Sequence, residues 1–476
     1  METTRTSSAS IAAFGGTRSP AMPWSLLGLA LAMLSASLGS SIVNVALPHL
    51  ATSFGAPFPA VQWLVIAYLL ASTAAVVAVG RLGDVLGARR LLLAGLALFA
   101  VASLAAGLAP TLPWLLAARV VQGLGAAVLM ASSVALARAV VDKDRTGSAM
   151  GLLGTMSALG TALGPTLGGA LVTSVGWRAV FFATAPLAVA AFWLGALHLP
   201  RALDRVDERP ARFDRAGTAV LAATLAAFAL AATVPGPIAS RLALALAAAV
   251  GVVAFVAIER RAESPLVPPS LLREPGLAGA LGANVVVSAV MMGTLVVGPF
   301  HLVHALGLEP GQVGLVMSIG PAVSAMVGVP AGRLVDRLGA GRVATGGLIG
   351  VAAGTATFAA LASWATVPAY VVPLAVTTAS YALFSAANNT SVMAGAGAGR
   401  RGVLSGLLNL SRNLGLMTGA TLLGSVFSSA CGEVGVGDAS RRAVATATGI
   451  TFGLASLVVM LVLLVPMLRS RRDRFS

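Results

Sequence analysis

The chain has 476 residues, of which 57% are apolar and 10% charged, with a mean hydropathy of +0.92. A soluble chain of this length needs far more polar surface than that, so the composition excludes a water-soluble globular enzyme and makes lipid the solvent. The net charge of +15 would suggest a nucleic-acid partner, but the basic residues fall in short connectors between apolar runs, so the basicity reads as membrane topology.

A helix that crosses the hydrocarbon needs about 20 apolar residues, and lipid admits only helices or closed barrels. The runs here are long and continuous instead of alternating, which excludes a barrel. Residues 1–24, Ser/Thr-rich with Arg5 and Arg18, read as a cytoplasmic tail with nothing to be cleaved. Spans are expected near 25–47, 61–79, 91–109, 112–135, 149–172 and 179–199, an N-terminal six-helix half over 25–199. Residues 200–276 form a cytoplasmic linker with two extra spans, near 216–234 and 242–258, between the charged segments Pro200 to Arg215 and Glu259 to Glu274. Six more, near 277–299, 312–330, 343–362, 367–387, 403–427 and 447–468, make a C-terminal half over 277–468, followed by a basic tail, 469–476. The expected fold is an all-α integral membrane protein of fourteen helices, two six-helix bundles with two extra central helices.

Alternate connectors carry the arginines. One set holds Arg81, Arg89 and Arg90; Arg138, Lys143 and Arg145; Arg201 to Arg215; Arg260, Arg261 and Arg273; Arg333, Arg337 and Arg342; Arg400 and Arg401; and Arg469 to Arg474. The other set holds only Arg178, Arg241, Arg441 and Arg442. Excess arginine marks the cytoplasmic side, so both termini are expected inside a bacterial inner membrane. The single cysteine, Cys431, excludes an intrachain disulfide framework.

The two sets of six look like copies. Gly80 to Arg90 (GRLGDVLGARR) and Gly332 to Arg342 (GRLVDRLGAGR) agree at eight of eleven positions at a shift of 252. The nineteen residues from Gly151 and from Gly406 agree at nine positions at a shift of 255. Homologous halves of this kind are how many secondary transporters are built, with the substrate site near mid-membrane between them.

These residues resemble the major facilitator superfamily, in particular its fourteen-span drug:proton antiporter branch. Gly80-Arg81-Leu82-Gly83-Asp84 to Arg90 is similar to the signature loop, and Arg119 with Gln122, Gly123 and Gly125 to the fourth-span motif. Gly160, Gly164-Pro165 and Gly168-Gly169 resemble the antiporter motif of the fifth span, Ser41 to Pro48 the end of the first-span motif, and Gly176-Trp177-Arg178 the start of the sixth span. The resemblance implies alternating access and, through Gly164-Pro165, export of hydrophobic or amphipathic compounds.

Read physically, Gly83 and Gly87 can supply positive φ in the signature loop. Asp84 among Arg81, Arg89 and Arg90, repeated as Asp336 with Arg333 and Arg337, reads either as a latch between the halves or as a surface ion pair worth ~0–1 kcal/mol. Pro165 removes a helix hydrogen bond while Gly164 lets a neighbour approach, which bends the span and makes the pair a gating element or a packing site. Arg119 and Arg412 lie inside spans, where a charge costs ~2.5 kcal/mol or more unless it meets water or a partner. Arg119 either faces a cavity or snorkels towards the outer surface. With Asn44, Gln122, Asn388 and Asn389 they make the candidate substrate-binding set, interhelical hydrogen bonding being the alternative for the amides.

Proton coupling needs an embedded titratable group, yet none of the sixteen acidic residues falls in a span interior. Where the resembled first-span motif carries aspartate, this chain has Gly39. Arg119 is then expected to lose its partner and leave a positive cavity that prefers anionic or neutral cargo. The candidate proton site is His301 with His304, three apart and on one helical face if the span extends that far; the alternative is that they are interfacial. No GxxxxGK[ST] loop, metal-ligand spacing or cofactor motif is present. The expected partners are a small-molecule substrate, the lipid bilayer and protons, for a protein working as a monomer. The runner-up function is a narrow carrier of an organic anion or vitamin-like metabolite, and a membrane-embedded enzyme or receptor is remote.

Overall fold

The computed structural model describes residues 22–141, 146–204, 215–234, 236–261, 274–364, 366–394, 401–432 and 435–472, and among them every regular element is a helix. The tail to residue 21 and the linker segments 205–214 and 262–273 lie outside the described residues. The first expected span divides into α1 (Met22–Ser41) and α2 (Val43–Phe54), broken at Ile42, with Pro48 inside α2. Then come α3 (Phe58–Leu86), α4 (Ala88–Gly107), α5 (Leu112–Val140), α6 (Thr146–Ser174), α7 (Arg178–Phe182) and α8 (Thr184–His198). The extra pair is α9 (Arg215–Thr233) and α10 (Ile238–Arg261). The C-terminal set is α11 (Pro275–Phe300), α12 (Pro310–Leu338), α13 (Ala340–Leu361), α14 (Val367–Ala394), α15 (Arg401–Thr418), α16 (Gly424–Ala430), α17 (Gly435–Asp438) and α18 (Arg441–Arg472). Two π-helical turns interrupt it, His301–Ala305 after α11 and Gly419–Leu423 between α15 and α16.

All fourteen apolar runs are helical, but among the described residues twelve helical stretches are long and apolar enough to cross a membrane. The two outside that number are α6 and the α15–α16 stretch, diluted by Gly, Ser, Thr and Asn. Several helices outrun the apolar core of their span. Thus α12 continues to Leu338 past the expected end at 330, because backbone bonding is indifferent to whether a side chain is apolar. For the same reason Glu259, assigned to a connector by the sequence, sits in the last turn of α10 and is 3% exposed.

In the N-terminal set α1 packs on α5, α6 and α8, and α5 on α3 and α4; in the C-terminal set α11 packs on α15, and α14 on α12 and α13. The extra pair packs on itself and touches both sets: Trp63 Nε1 donates to Thr233 Oγ1 at 3.0 Å and Ser425 Oγ to the Ala232 carbonyl at 2.8 Å. Leu242, Leu246, Val250 and Val253 of α10 are exposed, the apolar face that lipid covers.

The internal repeat is visible in the backbone. Gly87 takes φ 85°, ψ 128° and its counterpart Gly339 takes φ 83°, ψ 148°, so both signature turns depend on glycine. Gly83, also expected at positive φ, instead lies within the last turn of α3, where its carbonyl accepts the Gly87 N–H at 2.9 Å. A Cβ on Gly160 would fall 2.6 Å from the Leu34 carbonyl, and one on its counterpart Gly415 would collide with the Val285 carbonyl. The α1–α6 and α11–α15 seams are therefore the same close backbone packing.

Candidate substrate path and gates

The helix ends alternate between an arginine-rich and an arginine-poor end of the bundle, and the two sets of helices meet at the arginine-poor end. There Gly169 of α6 faces Gly314 of α12; a Cβ on Gly169 would lie 2.7 Å from Gly314 Cα and from the Pro310 carbonyl. On the other side Gln62 Nε2 donates to the Ala420 carbonyl inside the π turn, and a Cβ on Gly424 would strike the same side chain. Phe58 wedges between Phe300 at 4.7 Å and Phe427 at 5.6 Å, both edge-on.

The arginine-rich end is different. Arg333, Asp336 and Arg337 are exposed, and none of Gly276, Gly279, Gly328, Gly332 and Gly406 packs against the opposite set; open space round a glycine is not itself the difference, since Gly55 and Gly176 at the other end share it. Among the described residues no ion pair joins the two sets; the only ones place Asp204 on Arg89 Nη1 at 3.1 Å and on Arg90 Nε at 3.9 Å. Asp204 Oδ1 also accepts the Arg90 N–H at 3.0 Å. Arg89 and Arg90 thus engage the start of the linker, a partner the sequence did not suggest. The side chains of Arg81 and Asp84 lie outside the described residues.

Gly164 and Pro165 are buried at the junction of both packings. Gly160, Gly164 and Gly168 form one ridge against α1 at its break: Ser41 Oγ donates to the Gly160 carbonyl at 3.1 Å, and a Cβ on Gly168 would lie 2.7 Å from the Ile42 carbonyl. The adjacent face, through the Pro165 carbonyl and Gly169, meets α12. One helix therefore contacts its own bundle and the opposite one with neighbouring faces.

Arg119 is 1% exposed, so it neither snorkels nor faces an open positive cavity. Its Nε donates to the Leu64 carbonyl at 2.8 Å, and Nη1 donates to the Gly39 carbonyl at 2.9 Å and to Gln122 Oε1 at 2.6 Å. The guanidinium lies 4.2 Å over the Tyr68 ring, whose hydroxyl donates to the Ala36 carbonyl at 2.7 Å. Gln122 Nε2 continues the network to Ser103 Oγ at 2.7 Å. Carbonyl dipoles and an aromatic face thus replace the missing carboxylate. A Cβ on Gly39 would lie 2.8 Å from Phe99 Cζ, so the place of that carboxylate is occupied.

The remaining expected residues differ in burial and partners. Asn44 is fully buried and donates to the Ser41 carbonyl at 3.0 Å. Asn388 is buried and Asn389, the next residue, exposed. Arg412 is half-buried, with Nε unpartnered. His301 Nδ1 pairs with Thr448 Oγ1 at 3.0 Å and its ring stacks on Tyr370 at 5.8 Å, whereas His304 stacks on Phe300 at 6.0 Å. The π turn carries the two rings to different neighbours. Phe58, Gln62 and Tyr68 were not singled out by sequence, although a lone Gln in the apolar run FPAVQWLVIAYLL is a signal of interhelical bonding.

A solved structure of a bacterial homologue of the human lysosomal transporter Spinster, inward-facing and unoccupied, superposes with a TM-score of 0.66 at 15% identity, covering 94% of this chain and 96% of that one. In sequence the chain is 31% identical over 411 residues to the Multidrug resistance protein Stp of Mycobacterium tuberculosis, 85% of this chain and 75% of that protein. It is 26% identical to the riboflavin transporter RibZ of Clostridioides difficile, over 85% of this chain and 88% of that protein. The family model of the Major Facilitator Superfamily matches residues 29–420, and the chain is a member of that superfamily.

Proposed function

We propose that this chain is a fourteen-span exporter of small hydrophobic or amphipathic compounds, working by alternating access with both termini in the cytoplasm. The observation that carries the reading is the unequal pair of ends: glycine, glutamine and phenylalanine close the arginine-poor end, while at the arginine-rich end no ion pair joins the two sets among the described residues. By the charge rule the open end faces the cytoplasm, the side on which an exporter loads. The α6 and α15–α16 helices count as spans on this reading because α6 packs between α1 and α12 and the α15–α16 stretch lies against α11 and α3, all themselves spans. Stp, a multidrug resistance protein, supports cargo of this kind.

A second reading, a narrow carrier of an organic anion or vitamin-like metabolite, is favoured by the unpaired Arg412 and by similarity to RibZ, a riboflavin transporter. The deciding experiment measures flux of neutral, anionic and cationic amphiphiles in vesicles of known orientation, with and without a pH gradient. Export of several unrelated compounds driven by the gradient supports the first reading and makes the His301/His304 region the place to look for the proton. Flux of one anion, indifferent to the gradient, replaces it with the second.

A further inference from the structure

We propose that Arg412 and Asn388 form an oxyanion-binding subsite in the C-terminal half alone, taking the carboxylate or phenolate of a small organic anion; the proposal rests on the transporter reading above. Arg412 sits in the middle of α15, permanently charged, and makes no hydrogen bond or ion pair among the described residues. A guanidinium at that depth costs ~2.5 kcal/mol or more unless water or an anion meets it. The side chain is half-buried, so its tip reaches space that protein does not fill, while its Nε–H is buried without an acceptor.

The neighbours are short of partners too. Asn409, three residues back on the same helical face, has a buried Oδ1 with no donor, an acceptor that borders Arg412 and does not itself hold an anion. Asn388 on α14 is 3% exposed, with a buried Nδ2 that has no acceptor. Val392 of α14 and Leu408 of α15 belong to one apolar cluster. Asn388 lies one turn from Val392 and Arg412 one turn from Leu408, and consecutive spans run antiparallel, so both polar groups stand at one level above that cluster. Two unused N–H donors, one of them on the fixed positive charge of Arg412, are what a carboxylate requires.

The N-terminal half differs: its buried Arg119 also has an unpartnered Nη2, but that guanidinium is 1% exposed and held by three hydrogen bonds through Nε and Nη1. The position matching Arg412 is Ser157, whose Oγ is 2.7 Å from Ser37 Oγ, and Arg119 is already bonded to carbonyls and Gln122. A site between halves is expected near mid-membrane, and here the recognition of charge falls on one side of it.

The test uses purified full-length protein in nanodiscs, arginine modification by phenylglyoxal, and peptide mass mapping, with 1-naphthoate, 1-naphthylmethylamine and 1-naphthalenemethanol as probes. The expected result is that Arg412 is modified, Arg119 is not, and naphthoate alone slows Arg412 at least about fivefold. Protection by the neutral alcohol as well as the anion, or by none of the probes, overturns the subsite. Asn409→Asp, which sets a carboxylate beside Arg412 without altering the backbone, should weaken naphthoate protection about tenfold; unchanged protection also overturns it. Because the readout is occupancy, protection without flux in vesicles would sink the transport reading and leave the subsite standing.

Discussion

Gly169 against Gly314 and Gly424 against Gln62 are one contact made twice. The shifts of 255 and 252 that align the repeats turn the first pair into the second. In the first, backbone rests on backbone and nothing polar is shared. In the second, a glutamine crosses the interface and donates to the carbonyl of Ala420. The two arginines inside spans also differ: Arg119 is bonded into its own half through Nε and Nη1, and Arg412 has no partner among the described residues. Matching positions of the repeat therefore touch in both contacts, while the chemistry at those positions differs.

The comparison is broken most severely at the arginines. Arg119→Met strands the Gly39 and Leu64 carbonyls and Gln122, and should cost about 3–5 kcal/mol, whereas Arg412→Gln should stay within about 1 kcal/mol. Thermal unfolding in detergent compares them, and equal losses would erase the distinction. Next in size, Gly314→Leu places a Cβ 2.6 Å from the Pro165 carbonyl and 2.9 Å from Gly169 Cα, backbone that cannot step aside. The arginine-poor end should lose about 1–3 kcal/mol of its preference for the closed state. A cysteine introduced at Thr173, which faces Gly311, should then be alkylated from the arginine-poor side many times faster.

Gln62→Leu removes one hydrogen bond from the other contact, about 0.5–1.5 kcal/mol, and should speed the same reporter less than Gly314→Leu does. The reverse order would make the polar tether, not the glycine contact, the stronger closure. The smallest effect concerns the reporter's background. Burial pushes the Cys431 thiol up to about 11. Its reactive thiolate is therefore scarce at pH 7, and maleimide labelling of the native chain should be slow there and climb as pH rises towards that value.

Much of this organisation was legible in the residues. The fourteen apolar runs are helical, because lipid forces each apolar segment to satisfy its own backbone, though the short helix Gly435–Asp438 lay in no expected span; the repeat of GRLGDVLGARR at Gly332 foretold paired turns that the backbone repeats at Gly87 and Gly339. The site was less legible. A missing aspartate at Gly39 suggested an unpaired Arg119, because sequence shows which side chains are absent and not which carbonyls stand in for them. Asp204 could not be matched to Arg89 across 115 positions by any local pattern. The break at Ile42 and the π turns were also hidden, since they are settled by what neighbouring helices press against the backbone.

Pro165 and Ala420 occupy the same position in the two repeats, and both interrupt the regular ladder there, one by lacking an N–H and the other by lying in the π turn Gly419–Leu423. The interruptions are not equivalent in what they permit. A proline is a permanent flaw, the same in every conformation. A π turn carries one residue more than the α-helix it interrupts, and annealing it would change the phase of everything beyond by about 100°, the angle that one residue subtends. Arg412 lies before that turn and Phe427 after it. A single surplus residue therefore sets the azimuth between the polar stripe of α15 and the aromatic wedge that seals the far end.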